Sequence, residues 1–203
     1  MFRWLKRSLK SFLKTIAPQT TLTILAVRAR RHSHQLIRKW GLLHLNQKPI
    51  ARFGASIQSG PFRGTILTPM TWSEHLCPFL LGTYEAELHP CLEAICGKQY
   101  TQILIVGAKF GYHAIGLARR IPNVSVIASD IDPWACKAIQ EIIAAHQTAS
   151  VSIVRFCSPE WLDKNLLPDG LLICDCEGYK GKLFTNLTTS AINSATMLNR
   201  SPR

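Results

Sequence analysis

The run Val106-Gly107-Ala108-Lys109-Phe110-Gly111-Tyr112 has the make-up of a turn that brings a ligand onto the backbone. Gly107 lets the chain leave a strand sharply. Gly111 opens the next helix, so that its first N–H groups are approachable. Gly116, further along, suits close packing of that helix on a sheet. Glycines at 107, 111 and 116 do not have the GxGxxG spacing of a dinucleotide-binding turn. Asp130 closes the next apolar run, where a carboxylate accepts hydrogen bonds from both hydroxyls of a ribose. Together these residues make a candidate nucleoside site. The competing reading of an acid in Asp130-Ile131-Asp132-Pro133 is a helix cap, and Asp132, next to the proline, fits that role better.

A second group ends the last strongly apolar run: Cys174-Asp175-Cys176-Glu177-Gly178-Tyr179. Ligands of open parallel sheets lie outside the carboxyl ends of the strands, so Asp175 and Glu177 are candidate proton acceptors. Strand alternation gives Cys174 and Cys176 one face and Asp175 the other. His113, two residues after Gly111, either lines the site or sits on a helix surface. Neither the CxC pair nor Cys91 with Cys96 has CxxC spacing or a nearby histidine. They read as small buried residues, and no metal is expected. Trp72, Trp134 and Trp161 read as packing residues.

The elements that must position these groups alternate. Strands are predicted over 101–106, 124–129, 151–157 and 171–175, with helices over 112–120 and 133–147. Strand and helix alternating at this spacing means βαβ units and a parallel sheet, hence an α/β fold. Ile-Leu-Ile-Val and Leu-Leu-Ile-Cys are apolar throughout, as parallel strands covered on both faces should be. Upstream, Ser59-Gly60-Pro61-Phe62-Arg63-Gly64 is turn chemistry before a short strand near 65–67. A helix over 83–96 carries Glu85, Glu87 and Glu93. Residues 185–203 hold Thr, Asn or Ser at ten positions and no acid. No further strand is expected there, and the composition is compatible with disorder.

The chain of 203 residues is 47% hydrophobic and 18% charged, which excludes a wholly disordered or collagen-like protein. No apolar run reaches the ~18 residues of a spanning helix. The net charge of +12 is uneven. Residues 1–73 hold 13 Lys/Arg and no acid; residues 74–203 hold 11 Lys/Arg against 12 Asp/Glu. Residues 2–16 fit an amphipathic helix, with Phe2, Leu5, Leu9, Phe12, Leu13 and Ile16 on one side and five basic residues on the other. That helix either covers a core or binds an anionic membrane surface; nucleic acid is the weaker partner reading. The basic and apolar residues are interleaved, unlike a signal peptide. The seven cysteines are an odd number, which fits a reducing compartment. The expected location is cytoplasmic, with peripheral membrane association through the arm. The organisation reads as a basic helical extension over 1–48, a catalytic-type domain over 49–184 and a polar tail over 185–203.

From Ser59 to about Tyr179 the chain resembles bacterial FkbM-like S-adenosylmethionine-dependent methyltransferases of the class I Rossmann-like superfamily. Five segments carry the resemblance in order: Ser59–Phe62, Leu81–Leu88, Val106–Tyr112, Ala128–Pro133 and Cys174–Tyr179. The resemblance implies a Rossmann-like core, shortened at the C-terminus, that binds S-adenosyl-L-methionine. Gly107, Ala108, Gly111 and Tyr112 would face its methionine part, Asp130 and Ile131 its ribose, and the backbone near Phe156 and Cys157 its adenine. Glu85 would orient cofactor or substrate. The implied reaction is O-methylation of a sugar or small-metabolite hydroxyl, with Asp175, Glu177 and His113, in that order, as candidate bases. The chain departs from the superfamily at Ile105 and Lys180, where relatives tend to have an acid, and at Lys109, where a glycine is common. The alternative is a non-catalytic relative that binds a membrane or a partner through its basic arm.

Overall fold

The computed structural model describes residues 48–52, 54–69, 76–176, 178–184 and 196–199. Five parallel strands form one sheet: β1 (Gln102–Val106), β2 (Ser125–Ser129), β3 (Val151–Val154), β4 (Leu171–Cys174) and β5 (Thr196–Asn199). Their order is β3-β2-β1-β4-β5. Helices among the described residues include α1 (Leu76–Leu81), α2 (His89–Cys96), α3 (Tyr112–Arg120), α4 (Pro133–His146), α5 (Pro159–Asn165) and α6 (Lys180–Phe184). This is an α/β Rossmann-like core.

The strand sequences explain why helices must cover both faces. Every residue of β1 and of β4 is buried. Alternate side chains go to opposite faces. Ile103, Ile105, Leu171 and Ile173 join one apolar cluster with Ile115 and Leu117 of α3 and Ile139 and Ile142 of α4. Leu104, Val106, Leu172 and Cys174 join a second with Leu162 of α5 and Leu183 of α6. Burying each such side chain stabilises the fold by about 1.5–3 kcal/mol, which sets the register of the sheet more firmly than strand propensity does.

Several boundaries differ from the sequence expectation. The helix expected over 83–96 starts only at His89, after a 3-10 turn at Ala86–Leu88. Gly82 and Glu85 both have positive φ, and Pro90 fits only the first turn of a helix, so the chain bends twice before α2 begins. Glu85 therefore lies in a turn. The strand expected over 151–157 stops at Val154, because Ser158 caps α5 and accepts from the Trp161 N–H. Near 65–67 only a single antiparallel bridge forms, Ser56 to Ile66.

The tail requires a correction. Thr196–Asn199 pairs with β4 in parallel register, so a strand does follow Tyr179. Two apolar residues among threonines, serines and asparagines give no strand pattern in sequence; the free edge of β4 supplies the pairing. The basic arm over 1–48, apart from Lys48, and the rest of the tail lie outside the described residues. Trp72 and Glu177 do so as well. Among the described residues no helix is long and apolar enough to cross a membrane.

Candidate functional site

Strand order reverses at β1, which has β2 on one side and β4 on the other. The crevice at such a switch point, outside the carboxyl ends of the strands, is where ligands of this architecture bind. Three of the sequence-predicted groups meet there: the turn from Gly107 to Gly111 after β1, Asp130 after β2, and Asp175 after β4. With strands about 4.8 Å apart, the latter two flank the turn at roughly 10 Å from each other.

The turn is fixed by its neighbours. The Gly107 and Ala108 N–H groups both donate to the Ser129 carbonyl, at 2.9 and 3.0 Å. Gly107 has φ +85°, and a Cβ on it would lie 2.3 Å from the Asp175 carbonyl oxygen. Glycine is thus needed both for the left-handed turn and for the approach of the β4 backbone. Lys109 occupies the left-handed region at φ +48°, and its side chain is exposed. Its N–H donates to Asp130 Oδ2 at 2.8 Å, while the Asp132 N–H donates to Asp130 Oδ1 at 2.9 Å. Burial pushes the Asp130 carboxyl up from its ordinary range, and these two backbone bonds pull the other way. Each carboxylate oxygen keeps a further acceptor direction. Asp132 caps α4, accepting from the Trp134 N–H at 2.9 Å, as its place before proline predicts. Half-buried Ile131 lies between the two acids.

Gly111 is the N-cap of α3. Gly116 is buried within α3. A Cβ there would lie 2.3 Å from the Phe62 ring, so the glycine makes room for that ring. Phe62 belongs to an aromatic group centred on Tyr112. Ring centroids lie 5.0 Å from Tyr112 for Phe62 and for Phe79, and 5.4 Å for Tyr84. This explains why the segments Ser59–Phe62 and Leu81–Leu88 accompany the glycine turn. They are pressed together by Gly82, at φ +72°, whose Cβ would overlap the Ser59 carbonyl. The Ser59 hydroxyl also donates to the Leu81 carbonyl. Arg120 clips the same turn to α3, donating to the Pro61 carbonyl at 2.6 Å and pairing with Glu93 at 2.8 Å.

Tyr112 is buried and its hydroxyl has no hydrogen-bond partner among the described residues. Burial, with the nearby Glu85 carboxylate, pushes that hydroxyl up to about 12. Glu85 is itself buried, and its Oε2 lies 3.6 Å from His113 Nε2. That is ion-pair distance rather than a hydrogen bond. Glu85, Tyr112 and His113 thus come together at the start of α3.

The remaining sequence-predicted residues divide. Half-buried Phe156 packs its ring on Tyr179 at 5.8 Å. The Cys157 side chain is buried in the apolar cluster below the sheet, so only its backbone is left for a ligand. Asp175 is half-buried, and its N–H continues the ladder to the Val106 carbonyl at 2.8 Å. Cys174 and Cys176 do share one side, with their sulfurs 3.2 Å apart. Among the described residues no three His, Cys, Asp or Glu side chains group as metal ligands. Trp161 packs on the second cluster as expected, whereas Trp134 is exposed, with the Lys137 ammonium 5.9 Å over its ring. Sequence reasoning missed the aromatic group around Tyr112. Its signal was the recurrence of aromatics at 62, 79, 84 and 112 beside the glycine-bearing segments.

No family model and no curated protein matches this chain. Solved structures do resemble it. The precorrin-6y C5,15-methyltransferase of Geobacter metallireducens is 14% identical over 53% of this chain and 60% of that one, with a TM-score of 0.43. The Escherichia coli protein yhhF, named a methyltransferase, is 16% identical over 72% of this chain and 76% of that one, at 0.48. A methyltransferase of Geobacter sulfurreducens, solved with S-adenosyl-L-homocysteine, is 14% identical over 57% and 47%, at 0.39. This chain therefore spans less than two thirds of the first and third of these proteins. The strand order β3-β2-β1-β4-β5, parallel throughout, defines the fold.

Proposed function

We propose that the chain is an S-adenosyl-L-methionine-dependent methyltransferase of the FkbM-like type, acting on a hydroxyl of a sugar or small metabolite. One observation carries the reading: Asp130, at the switch point, has its two carboxylate oxygens aimed by the Lys109 and Asp132 N–H groups beside a glycine turn. That arrangement suits a nucleoside diol, and it needs no contact from the segments outside the described residues.

In this reading Asp130 accepts from the ribose hydroxyls, the turn from Gly107 to Gly111 lies against the amino-acid part, and the backbone at Phe156 and Cys157 borders the base. The orphaned Tyr112 hydroxyl and the Glu85 carboxylate offer a donor and an acceptor at the head of α3. The cofactor, when bound, supplies an electrophilic methyl group on a sulfonium and leaves as the thioether. The protein's part is alignment and proton removal. With the cofactor bound, the acceptor hydroxyl would give its proton to Asp175, with Glu177 and His113 as further candidates.

Titration of S-adenosylhomocysteine into the full chain by calorimetry, beside Asp130→Ala, tests the cofactor site. Micromolar binding that weakens at least tenfold in the variant is expected, since hydrogen bonds to a charged acceptor contribute about 1.5–3 kcal/mol. A folded chain that does not bind would sink the reading and favour the non-catalytic alternative, in which residues 2–16 meet anionic lipid. Flotation with phosphatidylserine vesicles, with and without residues 1–17, checks that arm. Turnover of Asp175→Asn equal to that of the unaltered chain would remove Asp175 from the role of base.

A further inference from the structure

The end of β4 holds a feature that methyl transfer does not use. Cys174 and Cys176 point the same way from a strand that has just ended, and their sulfurs touch at 3.2 Å. Cys174 is 1% exposed, packed with Leu104, Val106 and Leu172. Cys176, two residues on, is half-buried and borders the same cluster. The two sulfurs need to close by only about 1.2 Å to reach the length of a disulfide bond. We propose that Cys174 and Cys176 form a dithiol that a small-molecule disulfide of the glutathione class oxidises to an intramolecular disulfide.

The surroundings suit the chemistry. The Cys176 thiol bonded to it, together with the Lys180 charge, holds the Cys174 thiol down to about 7. The same pairing pushes the Cys176 thiol up. Elsewhere, burial pushes Cys157 up to about 12 and raises Cys136, whose thiol donates to the Asp130 carbonyl.

Burial fixes the order of steps. The reagent reaches Cys176 and not Cys174. Cys176 attacks the reagent disulfide as its thiol proton passes to the departing glutathione; a Cys176–glutathione bond forms and the reagent S–S bond breaks. Cys174, as thiolate, then attacks Cys176 Sγ. The Cys174–Cys176 bond forms and the second glutathione leaves, protonated by solvent. In sum, one dithiol and one disulfide give one protein disulfide and two glutathione thiols.

The test uses the full chain, freed of reductant, incubated with oxidised glutathione and then alkylated under denaturing conditions. The expected product has lost about two mass units by intact mass, with residues 174 and 176 alone protected from alkylation and linked within one peptide. Reduction restores both. Cys174→Ala should instead trap a glutathione adduct on Cys176, and Cys176→Ser should abolish both products while far-ultraviolet dichroism stays unchanged. Full alkylation of 174 and 176 after the incubation, a persistent adduct that Cys174 does not displace, or linkage among Cys77, Cys91 and Cys96 would each overturn the proposal. Mass and thiol count are read directly, so the result does not depend on whether the nucleoside site is functional.

Discussion

Gly107→Ala tests the contact that joins the two halves of the candidate site. Two costs add. At φ +85° an alanine occupies the left-handed region, at about 1–2 kcal/mol. Its Cβ would also lie 2.3 Å from the Asp175 carbonyl oxygen and 2.7 Å from the carbonyl carbon. Those are backbone atoms at the junction of β1 and β4, and no rotamer change moves them aside. Overpacking of this kind costs a further ~1–3 kcal/mol. The total is about 2–5 kcal/mol, a large share of the ~5–15 kcal/mol that holds a typical domain together. Gly54 provides the comparison. Its φ is +74°, with no atom within 4 Å of an added Cβ, so Gly54→Ala carries the conformational cost alone. Urea unfolding followed by circular dichroism gives both values from the shift in midpoint at constant slope. Gly107→Ala should lose at least twice as much as Gly54→Ala. Losses equal to within about 0.5 kcal/mol would refute the close approach of β4 to the turn.

Gly116→Ala should cost about 1–3 kcal/mol, because the Phe62 ring lies where the methyl group would go. Adding Phe62→Leu should restore part of that loss in the same unfolding assay. A pH dependence follows from His146, whose Nε2 accepts from the Ile66 N–H at 2.9 Å. Burial and the charge of Arg119 lower this imidazole below its ordinary value of 6.5. The folded chain therefore binds this proton less readily than the unfolded one, and the stability involved is present above about pH 6.5 and lost as pH falls through the lowered folded value. Unfolding midpoints measured at pH 7.5 and 5.5 should fall on acidification, and fall less in His146→Gln. Asp130→Ala, titrated with S-adenosylhomocysteine as above, should separate ligand binding from folding.

Residue order alone determined much of the architecture. The all-apolar runs 103–106 and 171–174 require cover on both faces, which makes them inner parallel strands whatever the rest of the chain does. The helix Tyr112–Arg120 and the cap at Asp132 were legible because their signals are local: a glycine before the first turn, and an aspartate before proline. Glycine at 107 and acid at 130 were legible because a strand-turn-helix unit puts both at one edge.

Tertiary structure decided what depends on a distant neighbour. Thr196–Asn199 is a strand only because β4 has a free edge. Glu85 left its expected helix because Gly82 must pass under the Ser59 carbonyl, a contact 23 residues apart. Gly116 makes room for the Phe62 ring, and the Lys109 N–H finds its acceptor on Asp130, 21 residues away. The sulfur contact of Cys174 with Cys176 belongs here too, since strand alternation puts the two on one side but does not bring them together. Periodicity and turn chemistry act over a few residues and are written in the chain. Close approach and shared hydrogen bonds are set where the sheet and its helices close on one another.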